Sequence, residues 1–147
     1  LFQLNEIYLN FAEAMNEAYG PDDKHGYKYS AREAINIIRE RSGQPAILSG
    51  SGIYSDFREL VRNERAIELA FDNHRFWDVR RWMIAEQEGV MSGAMYGIKI
   101  YWINPSPQVF RYTPYLYENR TFTKKMYLHP FSTNEVNKGY LIQNPGY

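Results

Sequence analysis

Between Val61 and Trp82 the chain reads VRNERAIELAFDNHRFWDVRRW, with acids and bases interleaved at a spacing that could do chemistry. Glu64 and Glu68 stand one helical turn apart. Glycoside hydrolysis needs two carboxyl groups about 5–10 Å apart across a sugar, and one helical turn is compatible with that. Wound as a helix at 100° per residue, the segment puts Phe57, Leu60, Val61, Ile67 and Phe71 on one arc, with both glutamates inside it. A carboxylate in an apolar stripe is costly to bury unless it is paired and hydrogen-bonded. Arg62, Arg65, Arg75, Arg80 and Arg81 supply cations in the same stretch. Arginines beside both acids favour paired carboxylates over a proton donor. Glu64, Arg65, Glu68, Arg75, Arg80 and Arg81 are therefore expected to form a structural ion network, and no catalytic residue is assigned.

Other reactive constellations are missing from the sequence. His25, His74 and His129 lie dozens of residues apart, with no second histidine at i+3 or i+4, so no metal-ligand spacing exists. There is no cysteine, which removes disulfides, thiolate metal sites and thiol nucleophiles together. No glycine-rich phosphate loop follows a strand and no serine sits in a nucleophile elbow, so neither metal nor cofactor is expected. Asn119-Arg-Thr121 is a glycosylation sequon on motif alone.

Charge and aromatic content point to binding. Net charge is zero, yet residues 89–147 carry six basic and two acidic side chains, too sparse for a nucleic-acid footprint. Of 13 tyrosines, eight lie after residue 89. Trp102 and Tyr101, with Tyr112, Tyr115 and Tyr117 in the next segment, fall on loop or strand positions, where binding residues tend to be displayed. A ring with a flat apolar face and a polar tip suits saccharide, so Trp102, Tyr101, Tyr112 and Tyr115 are the candidate ligand-contacting residues. Trp77 and Trp82, beside Arg80 and Arg81, are expected to pack in the core with cation–π support.

The elements that position these residues follow from periodicity. Leu4, Ile7, Tyr8, Phe11, Met15 and Ala18 mark one face of a first helix, ended by Gly20-Pro21. Ser30-Ala-Arg-Glu33 is a capping-box pattern opening a second helix, with Ala31, Ala34, Ile35 and Ile38 on one side and a stop at Gly43. Together they predict a helical hairpin. Gln44 to Tyr54 has linker composition. A third helix, capped by Ser55 or Asp56, is predicted to run to about Asp72. A fourth starts at Asn73 or His74, apolar nearly all round and hence expected to be buried. Beyond Gly89, Met95 to Asn104 and Gln108 to Tyr117 read as strands around Pro105-Ser106-Pro107. Lys124 to His129 reads as a further short strand and Asn134 to Lys138 as at most a helical turn. One domain over 1–147 is expected, with a helical scaffold at 1–88 and an aromatic loop and strand region at 89–147. No apolar run reaches the roughly 18 residues of a membrane span. With no initiator Met at Leu1, the chain reads as a piece of something longer.

Three blocks carry a family resemblance: EIYLNFAEAMNEAYG with AREAINIIRERSG, RELVRNERAIELAFDNHRFWDVRRW, and YLHPFSTNEVNKGYLIQNPGY closing the chain. In that order they strongly resemble the C-terminal part of the SusD/RagB family, over roughly residues 4–43, 57–82 and 126–147. The resemblance implies a mainly α fold of tetratricopeptide-like helical hairpins, followed by an irregular segment with short β-strands. It further implies a non-enzymatic, surface-exposed lipoprotein of the outer membrane. Such a protein binds oligosaccharide or polysaccharide and delivers it to a TonB-dependent, SusC-like transporter. The lipid anchor lies outside this sequence. The alternative reading is a helical-repeat module that binds protein and no sugar.

Overall fold

The computed structural model describes residues 3–50 and 56–147. The chain is mainly helical with one two-stranded antiparallel sheet. It divides into two compact units, Leu1–Arg75 and Phe76–Tyr147.

In the first unit, α1 (Leu4–Tyr19), α2 (Ala31–Arg41) and α3 (Phe57–Glu68) pack together. Gly20 ends α1 with φ 85°, a left-handed conformation that a residue lacking Cβ adopts without strain, and its N–H bonds Asn16 O. The capping box opens α2 as the sequence predicts. Ser30 Oγ accepts from the Glu33 N–H at 3.2 Å, and the Ser30 N–H donates to Glu33 Oε2 at 2.9 Å. Asp56 caps α3 by accepting from the Arg58 N–H, while the alternative cap Ser55 lies outside the described residues.

The core of this unit is Leu9, Ala12, Ala34, Ile35, Ile38, Ile47, Leu60, Val61 and Leu69. Its pattern departs from the sequence reading in two places. On α1 the buried positions are Leu9, Ala12 and Met15: Met15 belongs to the predicted stripe, Leu9 and Ala12 lie one residue beyond its Tyr8 and Phe11, which are partly buried against the core, and Leu4 and Ile7 are exposed. On α3 the arc closes at its N-terminal half, for Ile67 is 63% and Phe71 102% exposed. The helix stops at Glu68 rather than near Asp72. Turn bonds from Ala70 to Ile67 O and from Asp72 to Leu69 O replace the helical ladder, and Phe71 and Asn73 take positive φ, so the apolar period no longer faces the core. Within the segment of linker composition, Ile47 is buried and tied to α2. Its N–H donates to Asn36 Oδ1 at 2.8 Å and its carbonyl accepts from Asn36 Nδ2 at 3.1 Å.

α4 (His74–Arg81) is the fourth helix. The expectation of a helix buried all round is not met: Val79 and Asp78 are buried, whereas Trp77 is 61% exposed. Two turns of helix pack by one side only, and the Trp77 ring rests edge-on against Phe76 instead of entering the core. In the second unit Val79, Ala85 and Phe122 form a small core, flanked by Ile84, Val90, Met91, Met126 and Tyr127. β1 (Gly93–Pro105) and β2 (Gln108–Arg120) make a long antiparallel hairpin reversed at Ser106-Pro107, three residues longer at the far end of β2 than the sequence predicts. The predicted strand at Lys124 to His129 is instead a single 3-10 turn over Lys124–Tyr127, closed by the Met126 N–H on Thr123 O. α5 (Thr133–Val136) is the predicted helical turn.

Candidate functional site

The two acids that could have been catalytic are held inside the first unit. Glu64, 8% exposed, takes Nη1 of Arg39, and Glu68 takes Nη2 of Arg41, both arginines coming from the last turn of α2. Asn5 of α1 donates to the same Glu68 oxygen at 2.8 Å. Arg65, also buried, donates to Asn10 Oδ1 at 2.7 Å. These contacts join α3 to both helices of the hairpin. A buried acid already holding a guanidinium is poorly placed to donate a proton to a sugar.

Of the six residues expected in one network, Glu64, Arg65 and Glu68 lie on α3, and each meets its own partner from α1 or α2. Arg75 is exposed at the end of the first unit. Arg80 lies in the second unit, its guanidinium 3.5 Å from the Phe76 ring centre and 5.1 Å from that of Phe122, with Nη1 donating to Phe76 O. Burial pushes the Arg80 pKa below its ordinary value, though an arginine stays charged. Arg81 Nε donates to Asp78 at 2.9 Å. Arg39, Arg41, Asn5 and Asn10 escaped the sequence reading. The available signal was the pair of arginines at the C-terminal end of α2, the end that favours cations and lies beside α3 in a three-helix packing.

The histidines sit apart. His25 stacks on Tyr19, His129 stacks on Phe76, and His74 Nε2 is 3.9 Å from Glu6. Among the described residues no group of three or more His, Asp or Glu is placed to hold a metal ion.

Two concavities flank α1 and share Leu4 and Tyr8. One, of about 490 Å³, is walled by Gln3, Ile37, Ile38 and Arg41. The other, of about 360 Å³, is walled by Ile7, Phe11, Tyr27, Lys28 and Tyr29, with Tyr8 edge-on to Tyr29 and Phe11 edge-on to Tyr27.

The aromatic candidates lie on the β1–β2 hairpin, and they do not share one face. Side chains alternate along a strand, and directly paired residues share a side. Tyr96 pairs with Leu116, Ile98 with Pro114, Ile100 with Tyr112 and Trp102 with Phe110, giving one apolar face. On it Trp102 is 63% and Tyr112 62% exposed, and the indole N–H donates to Asn104 O. The other face carries Gly97 with Tyr115, Lys99 with Thr113 and Tyr101 with Arg111. Here the Tyr115 ring lies across Gly97 so closely that a Cβ at 97 would stand 2.8 Å from Cε1. Lys99 Nζ is 4.8 Å from the Tyr115 ring centre and Arg111 Cζ 5.1 Å from that of Tyr101. Irregularities at Met95/Tyr96 and Trp102/Asn104 leave Tyr117 and Ile103 outside the paired register.

Comparison with known proteins places this architecture. Over its whole length the chain superposes on the solved structure of BT4246 with a TM-score of 0.73 and 31% identity, covering 23% of that chain. For the selenomethionine form of BT4246 the TM-score is also 0.73, with 33% identity and 24% of that chain covered. SusD-like protein P25 of Formosa agariphila is 37% identical over 87 residues, 57% of this chain and 15% of P25. This chain thus spans under a quarter of the length of these relatives. The sequence profile of the SusD family matches residues 1–147 throughout, and with the helical hairpin and the capped, ion-paired third helix in place, the chain belongs to the SusD family.

Proposed function

We propose that the chain contributes to non-enzymatic capture of oligosaccharide or polysaccharide at the cell surface. The captured glycan passes to a TonB-dependent, SusC-like transporter of the outer membrane. Membership of a family of binding proteins supports the class of activity. The observation that carries the reading is the β1–β2 hairpin, which displays Trp102 and Tyr112 on one face and Tyr101 and Tyr115 on the other, with all but the half-buried Tyr115 exposed. Aromatic rings held on a strand scaffold offer stacking surfaces to a sugar ring at low conformational cost. No helix among the described residues is long and apolar enough to cross a membrane.

The test is affinity electrophoresis of the 147-residue chain through gels containing a panel of glycans. Retardation by at least one glycan is expected, and it should fall when Trp102 and Tyr101, one from each face, are both changed to alanine. Free migration through every glycan overturns the reading. A second reading, a helical module that binds protein and no sugar, is favoured by Leu4 and Ile7, which lie exposed along α1 between its two concavities. Capture of a membrane partner by a chain that binds no glycan is its signature.

A further inference from the structure

We infer that the Lys99–Tyr101–Arg111–Tyr115 face of the hairpin selects acidic glycans, those bearing uronate carboxylates or sulfate groups. The inference rests on the glycan-binding reading and adds a ligand class and a face to it. The two sides of the hairpin offer different chemistry. One, which runs from Tyr96 and Leu116 to Trp102 and Phe110 and includes Tyr112, carries rings and aliphatic groups but no charged side chain to meet an anion. The other alternates rings with cations: Tyr115 beside Lys99, then Tyr101 beside Arg111, with the Thr113 hydroxyl opposite Lys99. Each strand places like-facing residues about 6.7 Å apart, so a sugar stacked on one ring lies within reach of a cation.

Charge balance then decides what those cations can meet. From residue 89 to 147 there are only two carboxylates, Glu118 and Glu135. Glu118 is taken by Arg120, and Glu135 by Lys138 at 2.7 Å and by the Tyr140 hydroxyl. Among the described residues neither Lys99 nor Arg111 has a carboxylate at ion-pair distance; each lies over a tyrosine ring. A cation above a ring keeps its outward N–H groups for a ligand, and guanidinium matches a carboxylate or sulfate with two parallel hydrogen bonds. Anion and stacked ring together explain why these residues share one face.

The experiment compares glycans of matched length in low salt by titration calorimetry on the full chain: a neutral polysaccharide, a polyuronate and a sulfated galactan. We expect the polyuronate, the sulfated galactan or both to bind more tightly than the neutral one, and the preference to shrink as salt rises and the Debye length falls below about 10 Å. Lys99→Gln and Arg111→Gln should each weaken acidic binding about threefold, and the double variant about tenfold, from the range measured for exposed ion pairs. Arg111→Lys, which keeps the charge but loses the guanidinium fork, should lose less acidic binding than Arg111→Gln, and every variant should lower the acidic-to-neutral ratio. A structural role in bracing the hairpin would shift the melting temperature and leave the acidic-to-neutral ratio alone. Equal, salt-insensitive binding of neutral and acidic glycans overturns this inference and leaves the proposed function standing. Absence of binding to all three, with free migration through the wider panel, overturns both.

Discussion

Ile35, Leu60 and Val61 are sealed between helices, whereas Ile98, Ile100 and Trp102 lie open on the hairpin, each more than 60% exposed. Both regions are patterned well enough to form regular structure, and the residue types are nearly the same. What differs is the number of surfaces brought together. Three helices give each stripe two partners, so apolar positions close over one another and polar ones are drawn in with them. Among the described residues neither face of the two-stranded hairpin is covered by a further layer, and a two-stranded unit is marginal in isolation. An exposed apolar face of this kind fits the interaction surface proposed above, while the helical core fits a scaffold. Hydrophobic pattern therefore reports the element, and the packing partner reports burial.

The comparison breaks most readily at Glu64. Its carboxylate is buried against Arg39, so Glu64→Ala strands a guanidinium and should cost about 3–5 kcal/mol, read as a large drop in melting temperature. An unchanged melting temperature would remove the network from the scaffold. Next comes a matched pair of truncations. Leu60→Ala opens a cavity in a core that excludes solvent and should cost about 2–5 kcal/mol by chemical denaturation. Ile100→Ala, on the open hairpin face, should stay within about 0.5 kcal/mol. Equal losses at the two positions would show that the hairpin face is covered in solution and would erase the distinction.

How much of this was legible in the sequence differs by region for the same reason. The capping box at Ser30 and Glu33, the stop at Gly20 and the reversal at Ser106-Pro107 are local, since each depends on residues within a few positions of one another. The structure contains all three. The sequence shows that Glu64 and Glu68 need cations, but the arginines meeting them, Arg39 and Arg41, stand 25 and 27 residues away, so only the helix packing identifies them. The stripe of α1 is legible in part: Met15 is buried as its spacing predicts and Tyr8 and Phe11 pack at the edge of the core, but the helix is apolar on two adjoining faces and its fully buried positions are Leu9 and Ala12. On the hairpin, Trp102, Tyr101, Tyr112 and Tyr115 are near neighbours in sequence. Strand alternation then divides neighbours between opposite faces, and the β1–β2 register decides which of them can act together. The cations Lys99 and Arg111 became informative only once that register placed them beside Tyr115 and Tyr101.

Acid titration gives the smallest expected effect and sharpens the contrast on its electrostatic side. In the first unit the forked hydrogen bonds of Arg58, both 2.5 Å, hold the Glu17 carboxyl below its ordinary value of 4.5. Arg32, at 2.6 and 3.1 Å, holds Asp22 below 3.8. A depressed folded-state pKa contributes stability that is complete above the unfolded value and is lost as pH falls through the folded one. The scaffold should thus keep its melting temperature down to about pH 4.5 and lose part of it below, through Glu17 first and Asp22 at lower pH. Both acids are half exposed, so solvent screening keeps the loss small. Glu17→Gln and Asp22→Asn should lower the melting temperature slightly at pH 7 and flatten its decline below pH 4.5. The hairpin face of Lys99 and Arg111 differs in presenting no carboxylate of its own, so acid-induced loss of uronate binding is expected to follow protonation of the glycan. A sulfated glycan, which stays ionised, should then go on binding the folded chain at a pH where the polyuronate lets go, and parallel loss of both ligands would place the titrating group on the protein instead.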